Sequence, residues 1–218
     1  MSRREENKQL NRKKIIATAR KIISTQGMDK LSMRYLADKA VVSSRTPYNL
    51  FESKTDILVA IVFDAVKPLQ IPPVNTSTQL SLEQLIQLPK LVESFCTTEH
   101  DFYRDILWGI MSSDDKLSRD RASVAIADII APLVINATEK KECSIKISVD
   151  VLIAHLVTQF LAIIGMWGAS QLELDNAIAN IQLGWTNTLL PYSTRKSKAW
   201  LTQAQLDYGH ILEKTLAT

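Results

Sequence analysis

The chain has few of the residues that interrupt helices or build cross-links. Its 218 residues include only six glycines, seven prolines, two cysteines and three histidines, and aromatic residues make up 6%. So little glycine and proline beside a hydrophobic fraction of 46% excludes a disordered chain or an all-β protein and favours a compact helical one. Cys96 and Cys143 lie 47 positions apart without metal-ligand spacing, so we interpret them as buried thiols in a reducing cytosol.

Long uninterrupted hydrophobic runs are also missing. Residues 1–20 contain no apolar core of signal-peptide length. The longest apolar stretch, Val151–Trp167, is interrupted by His155, Thr158 and Gln159 and falls short of the roughly 20 residues that a membrane span needs. We therefore expect a soluble, cytoplasmic protein without a membrane partner.

Motifs of the common enzyme classes do not occur. The sequence has no G-x-S-x-G, no H-E-x-x-H and no phosphate-cradling glycine loop. His100, His155 and His210 are scattered, with no paired cysteine or carboxylate at metal-ligand spacing. We predict no catalytic residues, no metal and no cofactor, which makes an enzyme the weakest interpretation.

Charge is divided unevenly along the chain. Residues 1–60 carry 13 Lys and Arg against 6 Asp and Glu, whereas residues 61–218 carry 13 against 17. A basic quarter on a mildly acidic body is typical of a protein that binds a polyanion. Charge alone would equally describe a solvated face, so the interpretation depends on what the basic segment folds into.

Residues 32–58 are the most informative stretch. Two short apolar patterns, Met33-Leu36-Ala37 and Tyr48-Phe51, flank a four-residue joint at 40–43. Helices joined by so short a turn cross steeply, and the second one projects from the surface. A projecting helix that begins Ser44-Arg45-Thr46 can enter the DNA major groove with hydrogen-bonding groups at its leading end.

Helix boundaries around this joint are also marked. An isoleucine stripe predicts a first helix over residues 7–25 that ends at Gly27, and Ser32 is a suitable N-cap for the second. Ser53 and Asp56 form a capping box for a further helix over residues 54–66. The charge and the helix-turn-helix pattern together favour DNA as the polyanion.

This segment resembles the DNA-binding domain of the tetracycline-repressor (TetR) family of bacterial transcriptional regulators. The resemblance covers about residues 8–60, and the matching residues are Gly27, Ser32, Leu36, Ala37, Ala40, Val42, Ser43, Thr46, Tyr48, Phe51, Ser53, Lys54 and Leu58. It implies an all-α fold of nine to ten helices. It also implies a helix-turn-helix DNA-binding domain at residues 1–53 and a larger helical effector-binding and dimerisation domain at residues 54–218.

Three positions depart from the family pattern. Val41 stands where the family has Gly, and a β-branched residue at positive φ costs about 1–3 kcal/mol, so either the turn is rebuilt or the surrounding packing bears the strain. Pro47 replaces Leu or Ile and loses no hydrogen bond if Ser44 is the N-cap, which we therefore favour. Leu50 replaces His and removes one phosphate contact.

The resemblance also implies which residues contact DNA. Arg45 is the candidate for a bidentate bond to a guanine edge, and Tyr48 and Lys54 are phosphate contacts. The full predicted set is Ser32, Arg34, Ser44, Arg45, Thr46, Tyr48, Asn49 and Lys54.

The rest of the chain is also predicted as helical. Residues 68–80 are predicted as a loop, and helices are expected over 81–96, starting with a Ser81–Gln84 capping box, and over 99–112, 116–141, 144–170, 174–190 and 197–216. Pro132 should kink or divide the third of these helices.

Two of these helices, at 144–170 and 174–190, are apolar over much of their circumference and carry small residues in register, which lets helices approach closely. They form either the monomer core or, as the family resemblance implies, a four-helix bundle with a second copy. The predicted interface is Ala154, Thr158, Ala162, Gly165, Ala177, Ile181, Gly184, Trp185 and Thr188.

The resemblance implies three partners: double-stranded operator DNA, a second copy of the chain and a small, mostly apolar effector. The predicted effector-lining residues are Phe102, Tyr103, Trp108, Met111, His155 and Gln159, although a buried His or an aromatic stripe is more often plain core. Repression is expected by family habit. The main alternative is a helical adaptor or effector-binding protein that has lost specific DNA binding.

Overall fold

The computed structural model describes residues 2–66 and 80–216, and these residues form an all-α fold. In the described residues the helices are α1 Arg3–Gln26, α2 Met33–Lys39, α3 Thr46–Leu50, α4 Lys54–Val66, α5 Ser81–Thr98, α6 His100–Met111, α7 Lys116–Glu139, α8 Val149–Gly168, α9 Leu174–Leu189 and α10 Lys198–Leu216. The predicted fold class is confirmed. The loop predicted at 68–80 lies, apart from Leu80, outside the described residues.

The described chain forms two compact units. The first contains residues 2–66 and 99–120, and the second contains residues 80–98 and 121–216. The predicted boundary between residues 53 and 54 divides the chain by function, whereas these two units are defined by compactness. That boundary therefore stays a prediction.

The core of the first unit is built on the isoleucine stripe of α1. The stripe side chains are buried as their spacing predicts, and α1 packs against α2, α3 and α4. Helix α6 packs on α4, where Gly109 permits a close approach: a Cβ there would lie 3.1 Å from Leu58 Cδ1 and 3.2 Å from Met28 Cε. The first unit therefore joins the helix-turn-helix to two further helices.

Helix α9 is the centre of the second unit and packs against α5, α8 and α10. Trp185 is buried there, and its indole N–H donates to the Leu156 carbonyl over 3.0 Å. Cys96 and Cys143 are both buried and free, and burial raises the pKa of each thiol above its ordinary value. Neither cysteine is therefore set up for thiolate chemistry.

The start of α5 corrects the predicted Ser81–Gln84 capping box. The Ser81 hydroxyl accepts from Asn136 Nδ2 over 2.6 Å, and the backbone N–H of Leu82 donates to the buried Glu142 carboxylate over 3.0 Å. The Gln84 side chain has no hydrogen-bond partner in the described structure. A carboxylate 60 residues away caps this helix in place of its local sequence.

Two other predicted helix limits also change. Helix α8 begins at Val149 rather than near Ser144, because the Ser144 N–H donates to the Tyr192 carbonyl over 2.8 Å. Pro132 lies inside α7, which continues as one helix from Lys116 to Glu139, so the predicted division does not occur.

Two helices reach the length and hydropathy of a membrane span, which corrects the expectation that the α8 segment falls short. The windows are Arg119–Glu139 and Val149–Gly168, with mean hydropathies of 1.4 and 1.9, and 33% of each is buried. A core helix of a soluble protein has the same length and composition. The absence of a membrane partner therefore stays a prediction.

Candidate nucleic-acid interface

The turn between α2 and α3 closes on a valine with an unusual backbone conformation. Val41 has φ 51°, in the left-handed region, and its side chain is 81% exposed. Its N–H donates to the Asp38 carbonyl and that of Val42 donates to the Ala37 carbonyl, each over 3.1 Å, which is the Schellman pattern at a helix end. The turn is therefore not rebuilt. Because the Val41 side chain lies in solvent, the two backbone hydrogen bonds, rather than side-chain packing, hold the strained conformation.

Val41→Gly is expected to stabilise the protein by about 1 kcal/mol and to raise Tm by roughly 2–4 °C. Removing the backbone strain of a valine in the left-handed region stabilises the folded state by about 1–3 kcal/mol. Glycine also makes the unfolded chain more flexible, which offsets about 0.4–1 kcal/mol of this gain. Thermal unfolding followed by circular dichroism measures the shift.

Lys141 and Ser170 provide matched controls, because both have φ 57° at helix ends with the same pair of backbone bonds. Neither is β-branched, so Lys141→Gly and Ser170→Gly should give smaller gains. An equal or larger gain in either control, or a lower Tm for Val41→Gly, would show that branching at residue 41 is not the source of strain.

The start of helix α3 differs from the prediction by one residue. Its N-cap is Arg45 rather than Ser44, and Pro47 is the second helical residue and is buried. A proline there loses no intrahelical bond, since the first N–H groups of a helix have no partner within it. The Ser43 and Thr46 hydroxyls lie 2.8 Å apart and close the turn that leads into the helix.

Most side chains in the predicted DNA-contact set are accessible. Six of the eight are exposed and two are half-buried; the exposed ones are Ser32, Arg34, Ser44, Arg45, Tyr48 and Asn49, and the half-buried ones are Thr46 and Lys54. Phe51, directly after α3, is 1% exposed, as expected for a core residue. The short helix is therefore anchored by Pro47 and Phe51 and presents polar groups to solvent.

Two of the predicted contacts also have structural roles. The Ser32 hydroxyl accepts from the Tyr35 N–H over 3.3 Å and caps α2. The Lys54 ammonium donates to the Met28 carbonyl over 2.9 Å. Lys54 therefore links the start of α4 to the turn after α1, and its remaining donors can still point to a phosphate.

The predicted cap of α4 is present next to Lys54. The Ser53 hydroxyl accepts from the Asp56 N–H over 3.1 Å, as the capping box requires. The position of Lys54 in the first turn of α4 is therefore fixed by a local bond as well as by its own contact with Met28.

Sequence reasoning missed the arrangement of Arg12, which it counted only among the basic residues of α1. The Arg12 guanidinium donates to the Leu50 carbonyl at the end of α3 over 3.2 Å, and its Cζ lies 4.4 Å from the Phe51 ring centroid. No local signal in the sequence singles out Arg12 from its basic neighbours, because both partners lie almost 40 residues further along the chain.

A segment of the first unit also matches a known family. Residues 15–61 match the model of the bacterial regulatory proteins, tetR family. Over this segment the chain is similar to the TetR family. No curated protein matches the chain by sequence at a significant level.

Solved structures share the fold of this chain at low sequence identity. One is FadR of Thermus thermophilus, a TetR-family transcriptional repressor in complex with lauroyl-CoA, with 16% identity, TM-score 0.69, and coverage of 84% of this chain and 97% of that one. RolR in complex with resorcinol has 16% identity, TM-score 0.63, and coverage of 90% and 94%. A gamma-butyrolactone receptor has 14% identity, TM-score 0.51, and coverage of 93% and 98%.

The predicted effector-lining residues fall in both units. In the first unit, the Phe102 and Tyr103 rings lie edge to face with centroids 5.1 Å apart. Arg20 of α1 donates to the Tyr103 hydroxyl over 2.9 Å, lies 4.6 Å from the Phe102 centroid and forms an ion pair with Glu99. These two aromatic side chains therefore tie α6 to α1 of the helix-turn-helix.

The other four predicted effector residues are divided between α6 of the first unit and α8 of the second. Trp108 is 47% exposed and Met111 is half-buried on the same helix α6. In the second unit, Gln159 Nε2 lies 2.8 Å from His155 Nε2 and donates to the Thr188 hydroxyl over 3.0 Å. The effector-lining role of all six residues stays a prediction.

Three of the predicted dimer residues of α8 lie on one exposed, mostly apolar strip. We call this strip the α8 face; it consists of Val151, Ala154, His155, Thr158, Ala162 and Met166, all exposed. A stripe this long on a helix with mean hydropathy 1.9 is unusual for solvent contact.

The remaining interface candidates divide into two groups. Ala177, Ile181 and Trp185 are at most 1% exposed and pack in the core of the second unit, so they have no free surface to offer a second copy. The half-buried ones are Gly165, Gly184 and Thr188. A Cβ at Gly184 would lie 3.1 Å from Gln159 Oε1, so this glycine permits α8 and α9 to pack closely within the chain.

Proposed function

We propose that this protein is a TetR-family regulator, a ligand-responsive, cytoplasmic repressor that binds a pseudo-palindromic operator as a homodimer. Residues 1–53 bind DNA, and residues 54–218 bind the effector and the second copy. The proposal is carried by the exposed polar side chains at the N-cap and on the surface of α3, a helix that buried Pro47 and Phe51 fix to the core of the first unit. The predicted contacts Arg45, Tyr48 and Asn49 have the hydrogen-bonding groups that base edges and phosphates require.

Dimerisation is supported by the α8 face and by the size of the reading helix. A helix of five residues contacts too few bases to specify a site in a genome. Two such helices, held about 34–36 Å apart, contact successive major grooves on one side of the duplex. The exposed small residues Ala154, Thr158 and Ala162 allow a second α8 to approach closely.

A small, mostly apolar effector is the third part of the proposal. Proteins with this fold have been solved with lauroyl-CoA and with resorcinol. An effector changes DNA affinity only if it binds the operator-competent and incompetent states with different affinities. The ties from Arg20 to Tyr103 and Glu99 support α6 as the element that passes such a difference to the helix-turn-helix.

The experiment that tests the proposal is selection of duplexes from a random library by the purified protein. We expect an inverted repeat to be enriched, and its binding to weaken steeply with salt because phosphate contacts release counterions. Gel shifts with the selected duplex, repeated with lauroyl-CoA and with resorcinol, then examine the effector response. A protein that enriches no sequence and does not bind duplex DNA at low salt would instead support the adaptor interpretation.

A further inference from the structure

We propose that Arg12 is a positioning residue that orients the recognition helix through the backbone of α3, rather than a phosphate contact. The inference rests on the proposed function, because it concerns how the helix-turn-helix reads sequence. The basic charge of α1 alone would suggest that Arg12 contacts phosphates like its neighbours. Lys8, Lys13 and Lys14 on the same helix are exposed, however, whereas Arg12 is half-buried.

Helix α3 depends on anchors outside itself. It has five residues, and a helix this short has too few internal bonds to be stable alone. The Asn49 N–H donates to the Arg45 carbonyl and the Phe51 N–H donates to the Pro47 carbonyl. The Leu50 carbonyl is the last of the helix and needs a donor from elsewhere, and the Arg12 guanidinium supplies it over 3.2 Å.

The same guanidinium also fixes the direction in which α3 leaves the core. It stacks 4.4 Å from the centroid of Phe51, the residue that ends α3 and is 1% exposed. A cation at a helix C-terminus is favoured by the helix dipole, and a planar guanidinium can donate to a carbonyl and stack on a ring at once. Lysine can do one of these but not both.

Arg12 is carried by a helix that is firmly anchored in the first unit. Ile15 and Ile16, one turn further along α1, are 0% and 8% exposed and set the rotation of the helix. The guanidinium thereby connects the isoleucine core to the C-terminal end of α3, while Pro47 holds the N-terminal end. Loss of the connection should let α3 change its angle, which affects base contacts more than phosphate contacts.

The test compares Arg12→Ala and Arg12→Lys with the wild type on a duplex selected by the wild-type protein and on a scrambled duplex of equal composition. We expect Arg12→Ala to lower the ratio of the two affinities by about tenfold or more, with a partial loss for Arg12→Lys. Affinity for the scrambled duplex should change no more than in Lys13→Ala, which removes the same charge from the next position.

A phosphate contact predicts a different result. Arg12→Ala would then weaken both duplexes by one factor, reduce the slope of log affinity against log salt by about 0.9 for each protomer, and be rescued by lysine. Either that pattern or an unchanged affinity ratio would overturn the inference.

A second measurement does not depend on DNA. Without DNA, the backbone N–H groups of Asn49 and Phe51 should exchange faster in Arg12→Ala than in Lys13→Ala, and equal rates would overturn the inference even for variants with a normal Tm. The wild type could select no sequence while the exchange rates of Asn49 and Phe51 still differ between Arg12→Ala and Lys13→Ala. The proposed function would then be wrong, but the role of Arg12 in positioning α3 would be supported.

Discussion

Thr158→Arg should leave the protein monomeric and lower its affinity for a selected inverted-repeat duplex by at least about 100-fold. Thr158 is in the middle of the α8 face, and a two-fold axis would bring two of the new guanidinium groups into one apolar contact. Each unpaired buried charge costs several kcal/mol, more than the apolar contact of one small residue returns. Light scattering after size-exclusion chromatography measures the mass, and gel shifts measure the affinity.

Thr202→Arg is a closely matched control. Thr202 is an exposed threonine within α10 whose hydroxyl donates to the carbonyl four residues earlier over 2.8 Å, as that of Thr158 does. The two substitutions therefore change charge, volume and local hydrogen bonding alike and differ only in the surface that carries them. If both variants keep a dimer, or if both lose it, the α8 face is not the interface.

The sequence predicts the first unit well because its signals are local. The spacing of Ile15, Ala19 and Ile22 is read within one helix, and the caps formed by Ser32 and Ser53 each involve a partner three residues away. Even the backbone strain at Val41 can be predicted from one residue, because a β-branched side chain stands where the turn requires a positive φ. Such features need no knowledge of what the rest of the chain does.

The second unit is less predictable because long-range partners override local patterns. The Ser81–Gln84 box is a valid local signal, yet Glu142 takes the capping role. Small residues at helical spacing on α8 and α9 look alike in sequence. On α9, however, Ala177 is buried and Gly184 and Thr188 are half-buried, because α9 packs against α5 and α10 as well as α8. Which of two apolar helices has a free side is decided by packing that periodicity does not contain.

Arg45→Ala should weaken binding to the selected duplex by about 2–6 kcal/mol while leaving binding to a scrambled duplex and Tm close to wild type. Arg45 is exposed at the N-cap of α3, and its side chain provides no capping bond, so its loss costs little stability. A bidentate contact to guanine is worth about 1–3 kcal/mol of discrimination, and the dimer carries two copies. Fluorescence anisotropy at several salt concentrations measures the affinity of the variant for each duplex.

Lys54→Ala provides the contrasting case, because a phosphate contact positions the protein without reading sequence. It should weaken the selected and scrambled duplexes about equally and make both salt slopes shallower. It should also lower Tm slightly, since the bond from Lys54 to the Met28 carbonyl is lost, so affinities are compared at a temperature where both variants are folded. Equal losses on both duplexes for Arg45→Ala and Lys54→Ala alike would mean that α3 contacts the DNA backbone only, and that specificity comes from another element of the first unit.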